Sequence, residues 1–458
     1  MLWYIVIGFL WVCLSYFSIP GGDQASVYQI AVSFAEGNYA AVEPDSYLSS
    51  YPQQLGILLF YEFFLRLLHS VKRLISFLPS LSQTRLLLFL RFIQVWAAAL
   101  FALSGLQITA MTFRRKKVSL LYAFLMAACF PFLLFIDFIY AEMIGFAFMM
   151  FGTWMLLRFL GIPDSPEFSE KTSRGGSGWI SGSLALLSVT LSVLARKANL
   201  IFLVACVVVL VFHAIRIKKY LLLPYAVCLV VFSVSALPLT QAFYEAKAGQ
   251  RLSGNVPGIA WVAMGLQENE NGPGRNNAFN IHTHLTYGYD TARTAAVSRL
   301  SIEDSLRKFA ADPGYALSFF YEKLKSEWGE PDFCAFAIFA GTLRESAVLN
   351  AVYQDGWVHS FLSAFMRWHQ LTIYAGAFLS MVFALRRKNR LSDCQRIPLL
   401  LFPVAIIGGF FFYLMWEASS RYVLPFFLMA IPQACAGLTA LGETLLLLIR
   451  NRIRRKPL

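Results

Sequence analysis

A chain of 458 residues that is 58% hydrophobic and only 14% charged is not a string of water-soluble domains, which carry about a quarter charged residues. Its mean hydropathy of +0.58 points to a membrane protein, and the net charge of +13 belongs to membrane topology rather than to a nucleic-acid surface, because of where the bases fall. The seven cysteines form no CxxC or paired spacing, and only Cys334 falls clearly in an outer loop, so no disulfide framework is expected.

In chain order, the apolar run 2–19 lacks a basic leader and a small-residue cleavage site, and reads as a first span rather than a signal peptide. Further runs at 85–112, 118–136, 142–158, 179–195, 199–214, 220–240, 363–385, 397–416 and 422–447 approach or exceed the ~20 residues needed to cross a ~30 Å hydrocarbon core. In lipid such runs must be helices, since no backbone polar group can go unpaired there. The run 55–68 is shorter and carries Glu62 and Arg66, with His69, Lys72 and Arg73 just beyond. That pattern suits a helix lying in the interface.

The basic clusters decide the topology. With 55–68 on the outer surface, Arg114–Lys117, Arg216/Lys218/Lys219, Arg386–Arg390 and the tail from Arg450 to Lys456 all fall inside. If 55–68 crossed, the first cluster would land outside. The expected fold is therefore an all-α polytopic membrane protein of about ten transmembrane helices with both termini cytoplasmic. It divides into a transmembrane module at 1–240 with outer juxtamembrane helices at 20–84, an outer loop domain at 241–360, and C-terminal helices at 361–458. The inner loop 161–178, with Pro163, Pro166, Gly175 and Gly176, reads as a flexible linker.

Ionisable residues gather at the outer ends of the helices. The first outer loop opens Pro20-Gly21-Gly22-Asp23-Gln24, where Asp23 can cap a helix over 24–36 whose Val27, Ile30, Ala31 and Phe34 share a face. Gly37 ends it, and Tyr51-Pro52-Gln53-Gln54 turns the chain into the second surface helix. Asp137 and Glu142 bracket a short outer turn, where acids near hydrocarbon are costly and often functional; a structural ion pair is the plainer alternative. Arg196-Lys197 and Arg421-Tyr422 place cations at two more outer turns, against the charge bias, with snorkelling toward headgroups as the plain reading.

On these pieces the sequence resembles the GT-C superfamily of membrane glycosyltransferases, which includes protein O-mannosyltransferases and lipid A aminoarabinose transferases. An acidic residue after the first span, a juxtamembrane helix ending in Gly and a Pro-containing turn match Asp23, the stretch 26–37 and Tyr51-Pro52-Gln53-Gln54. Arg421-Tyr422 followed by Pro425 resembles a turn that recurs there. The second acidic position is Gln24, a departure from the usual Asp-Glu pair, so metal use is not implied; a divalent cation, Mg or Mn, stays open. The resemblance implies a sugar donor carried on polyprenyl phosphate, with Asp23 as the base that takes the acceptor's proton. Arg196, Lys197, Arg421 and Tyr422 would hold the lipid phosphate, and Asp137, Glu142, Tyr51 and Gln53 would orient the acceptor.

The outer loop adds less. The stretch 269–277 reads as a mobile Gly/Asn/Pro loop. His282 and His284 form an HxH pair without a suitably spaced third ligand. Helices are expected at 301–311, capped by Ser301, and at 315–328. The expected function is transfer of a sugar from a polyprenyl-phosphate carrier to a glycan, lipid or protein acceptor at the outer face of a plasma membrane, more in keeping with a bacterial inner membrane than with endoplasmic reticulum. A polysaccharide polymerase or ligase, or a lipid-linked sugar transporter, is the alternative. No nucleic-acid partner is expected.

Overall fold

The computed structural model describes residues 2–15, 20–74, 82–162, 177–340, 346–354, 356–386 and 400–454. These residues are almost wholly helical, and β pairing is confined to an isolated bridge between Arg275 and Ala418. Among the described residues seven helices are long and apolar enough to cross a membrane, or eight if one bent pair counts as a single span. Two further apolar helices, Leu2–Leu14 and Leu401–Met415, are shorter.

Several elements differ from the sequence reading. The run expected as one span over 118–136 is broken, with Lys116–Ala127 and Phe130–Asp137 meeting at 55°. Cys129 has ψ of 79° at the break, outside the helical region, and Pro131 follows it, where a missing N–H costs nothing. The helix expected over 55–68 runs Leu55–Leu74, 20 residues, because Lys72 and Arg73 are good helix formers in its last turn. By length and composition it is one of the seven that could cross. Asp23 is the first residue of the helix Asp23–Ala35 rather than its cap; Gly22 takes that place at φ 53°. The linker at 161–178, the end of the first run and the basic stretch at 387–390 lie largely outside the described residues.

The contacts of the Leu55–Leu74 helix fix its neighbours. A Cβ on Gly56 would stand 1.8 Å from the Leu194 carbonyl oxygen, so only glycine permits this helix to cross the end of Ser177–Ala195. Tyr61 donates to the Tyr140 carbonyl at 2.8 Å, and Gln94 donates to Tyr61 at 2.8 Å and to the Phe138 carbonyl at 3.1 Å. From Gln94 to Phe113 the helix rises about 28 Å, roughly one hydrocarbon core, and ends at the basic Arg114–Lys117. The polar layer of Gln94, Tyr61 and the turn 138–141 therefore stands about one membrane thickness from those bases.

The stretch expected as an outer loop folds into the helices Gly258–Gly265, Phe279–Thr286, Thr291–Ala311 and Pro313–Trp328. The third starts ten residues before the expected 301, capped by Asp290, and the fourth is capped by Asp312. The stretch 269–277 is not loose. The Asn269, Asn271, Asn276 and Asn277 side chains knit it, and Ala418 N–H donates to the Gly274 carbonyl at 2.7 Å, which docks it on the turn after Leu401–Met415.

Candidate functional site

Three helix ends meet at this polar layer. Glu142 lies in the first turn of Glu142–Phe159, Arg196 follows Ser177–Ala195 in extended conformation, and Arg421 lies in the first turn of Ser420–Arg454. The Arg196 turn is fixed by Asn199, whose amide donates to the Gly145 and Ser192 carbonyls at 3.3 Å and to Ser192 Oγ at 2.8 Å. Glu142 Oε1 stands 3.8 Å from Arg196 Nε and 3.6 Å from Arg421 Nε. Both separations exceed a direct hydrogen bond, and Glu142 Oε2 has no hydrogen-bond partner among the described residues.

These groups line a cavity of about 360 Å³ that also takes in Lys197, Gln53, Tyr422 and Trp261. Among the described residues that line it, three are cations and one is a carboxylate, so the lining is net positive. Arg421 is the more telling of them, because a cation in the first turn of a helix opposes the macrodipole. Its guanidinium is held by Glu142 and by the Phe138, Tyr140 and Tyr422 rings, at 5.4, 5.7 and 5.2 Å. Tyr422 in turn donates to Glu417 Oε2 at 3.1 Å, and Asn276 donates to Glu417 Oε1 at 3.0 Å. One wall is apolar. It is formed by Leu200, Ile201 and Phe412, next to Val204, Val208 and Phe411, which are exposed in the manner of lipid-facing side chains.

Asp23 does not line this cavity; its neighbour Gln24 bonds to Ile139, next to Tyr140 of the lining. Burial raises the Tyr51 phenol to about 12, with the Asp23 and then the Glu417 charge adding to it, and burial raises Tyr140 well up with Tyr47 and Asp23 acting in the same sense. Tyr140 lines the cavity, and Tyr51 meets Trp261 edge to face at 6.2 Å. Gln24, the departure from an acidic pair, is buried and accepts from Ile139 N–H at 3.2 Å. It holds the turn 138–141 in place.

Asp137 belongs elsewhere. Ser15 donates to its Oδ1 at 2.7 Å, Arg91 Nε lies 3.5 Å away, and Arg91 also donates to the Ser15 carbonyl at 3.1 Å. That network is away from the cavity lining, and Asp137 is not brought together with Arg196, Lys197 and Arg421. His284 has its ring nitrogens 3.1 Å from Thr294 Oγ1 and from the Gly254 carbonyl. Among the described residues no group of three or more His, Cys, Asp or Glu gathers to hold a metal. The sequence reading missed Trp261, Trp416 and Asn255, all in the cavity wall; tryptophans beside apolar runs carry no signal beyond the ordinary interfacial belt.

No protein-family model and no curated protein matches the chain. Among solved structures it is similar to the archaeal oligosaccharyltransferase AglB from Archaeoglobus fulgidus in complex with an inhibitory peptide and a dolichol-phosphate, at 13% identity and a TM-score of 0.48. It is also similar to the Archaeoglobus fulgidus oligosaccharyltransferase in the apo form, at 15% identity and a TM-score of 0.47. In both cases 99% of this chain covers 52% of the other, so the chain spans about half their length. A likeness at this level fixes no activity.

Proposed function

We propose that the chain is a membrane glycosyltransferase that moves a sugar from a polyprenyl-phosphate carrier to an acceptor at the outer face. The observation that carries the reading is the cavity in which Arg196, Lys197 and Arg421 converge beside an apolar wall on the Leu200–Ile217 and Leu401–Met415 helices. An anion with a long hydrocarbon tail matches that combination, since the phosphate meets the guanidiniums while the tail leaves along lipid-facing helices. In this reading the chain crosses the membrane about ten times, with Leu55–Leu74 on the outer surface and both termini cytoplasmic.

Transfer then proceeds by direct inverting displacement. The acceptor hydroxyl gives its proton to the Asp23 carboxylate as its oxygen bonds to the sugar's anomeric carbon. The bond from that carbon to the phosphate oxygen breaks, and its electron pair stays on the phosphate. No covalent intermediate is needed for inversion. Arg196, Lys197 and Arg421 stabilise the charge released on the leaving phosphate, and Gln53 and Tyr51 help orient the acceptor.

The test is a pair of variants in lipid nanodiscs, assayed for binding of bare polyprenyl phosphate and for transfer. Asp23→Asn is expected to bind the lipid normally and to lose transfer by about 10²–10⁴-fold, the usual worth of a general base. Full transfer by that variant would remove Asp23 from the chemistry.

A further inference from the structure

If the lipid phosphate sits at the arginines and the proton leaves to Asp23, the transferred sugar must lie between them. The residue that bridges this interval is Trp261. It lines the cavity with Arg196, Lys197 and Arg421 and meets Tyr51, in the loop that follows the Asp23–Ala35 helix, edge to face at 6.2 Å. It also stacks almost parallel on Trp416, with ring centroids 5.9 Å apart and planes 4° from parallel.

The indole pair is held rigidly from behind. Lys323 is fully buried and donates to the Gly265, Leu414 and Trp416 carbonyls at 2.6, 3.0 and 2.7 Å. The Trp416 backbone rests on Gly265, where a Cβ would come within 2.4 Å of its carbonyl oxygen. On the Trp261 side, Val256 N–H donates to the Ser50 carbonyl at 3.2 Å, tying the segment before Trp261 to the one before Tyr51. A wall positioned in this way costs nothing to order when a ligand arrives.

We infer that Trp261, backed by Trp416, is the platform on which the donor's sugar ring lies, and that this sugar is a neutral one. The inference rests on the phosphate-carrier reading above. A flat, apolar aromatic surface suits the C–H face of a sugar ring, and uncharged hydrogen-bonding side chains in the same lining, Gln53 and Asn255 among them, suit hydroxyls. The one carboxylate among the described residues of the lining, Glu142, is bracketed by two guanidiniums and is a poor partner for an amino group on the sugar. Three cations are occupied by the phosphate in this reading, so a carboxyl group on the ring has no cation of its own.

The experiment measures Kd of the full-length protein in nanodiscs for bare polyprenyl phosphate, polyprenyl-phosphate mannose, polyprenyl-phosphate glucose and polyprenyl-phosphate 4-amino-4-deoxyarabinose. In the native protein at least one neutral hexose is expected to bind about tenfold tighter than the bare lipid, the gain of one well-made aromatic contact. Trp261→Leu should erase that gain while holding bare-lipid binding within twofold, which also reports that the variant is folded, and Trp261→Phe should restore part of it. The inference is overturned if neither hexose gains over the bare lipid, if the amino sugar gains more, or if Trp261→Leu weakens bare lipid and hexose lipid equally. Failure of the native protein to bind bare polyprenyl phosphate at all would instead overturn the phosphate-carrier reading beneath it.

Discussion

Asp137 and Glu142 stand five residues apart around one turn, each beside arginine, yet their surroundings differ. Asp137 is closed in by the Ser15 hydroxyl and Arg91, with both ionic side chains 1–2% exposed. Glu142 is shared by two arginines at 3.6–3.8 Å, has an unpartnered oxygen, and faces a cavity through an Arg421 side chain that is 20% exposed. The difference teaches that charge in an apolar setting does not itself mark function. The Asp137 pair, tied to the Ser15 hydroxyl and carbonyl away from this cavity, leaves no opening for a ligand, whereas net positive charge beside an open cavity leaves room for an anion.

The comparison is broken most severely at Arg421. Arg421→Gln should weaken binding of bare polyprenyl phosphate by a hundredfold or more, since a charge-assisted contact in a largely water-excluded site is lost, while thermal stability changes little. An unchanged Kd would make Arg421 a structural residue like Arg91. Next in size is Arg91→Leu, which strands a buried carboxylate. It should cost about 3–5 kcal/mol of stability, read as a fall in unfolding temperature, and leave lipid affinity unchanged in whatever protein remains folded. Loss of affinity there would tie Asp137 to the site after all.

A third buried pair sharpens the comparison with a smaller effect. Lys323 and Glu327 are one turn apart and fully buried, and both Glu327 oxygens lack a hydrogen-bond partner among the described residues. Burial raises the Glu327 carboxyl to about 8 and lowers the Lys323 ammonium to about 8. Glu327 holds its proton more tightly when folded, so its contribution is complete below pH 4.5 and is lost as pH climbs to 8. Lys323 holds its proton less tightly when folded, so its penalty is full below pH 8 and is relieved as pH rises from 8 toward 10.5. The unfolding temperature should pass through a minimum near pH 8, and Glu327→Gln should flatten the descending limb between pH 4.5 and 8. The same profile in the variant would mean that other groups set it.

Much of the candidate site was legible in the sequence for a physical reason. Arg196, Lys197, Arg421 and Glu142 stand out because charges beside hydrocarbon are expensive and therefore rare. What separates Asp137 from Glu142 was not legible. It depends on the 55° break before Phe130 and on a turn pinned by Gln24, a contact 115 residues apart in the chain. The indole wall was hidden for the opposite reason: Trp261 and Trp416 look like any tryptophans beside apolar runs, and only the Lys323 carbonyl contacts and the 4° stack distinguish them. Helix limits went wrong where a cap lay upstream, as with Asp290 before Thr291–Ala311, since Ser301 offered an equally good local signal.

The most direct test of the account is a cryo-electron microscopy structure of the full chain in nanodiscs with bare polyprenyl phosphate. The account predicts the phosphate among Arg196, Lys197 and Arg421, with the prenyl chain leaving past Leu200, Ile201 and Phe412. A phosphate bound anywhere else, beside Arg91 and Asp137 for example, would contradict it.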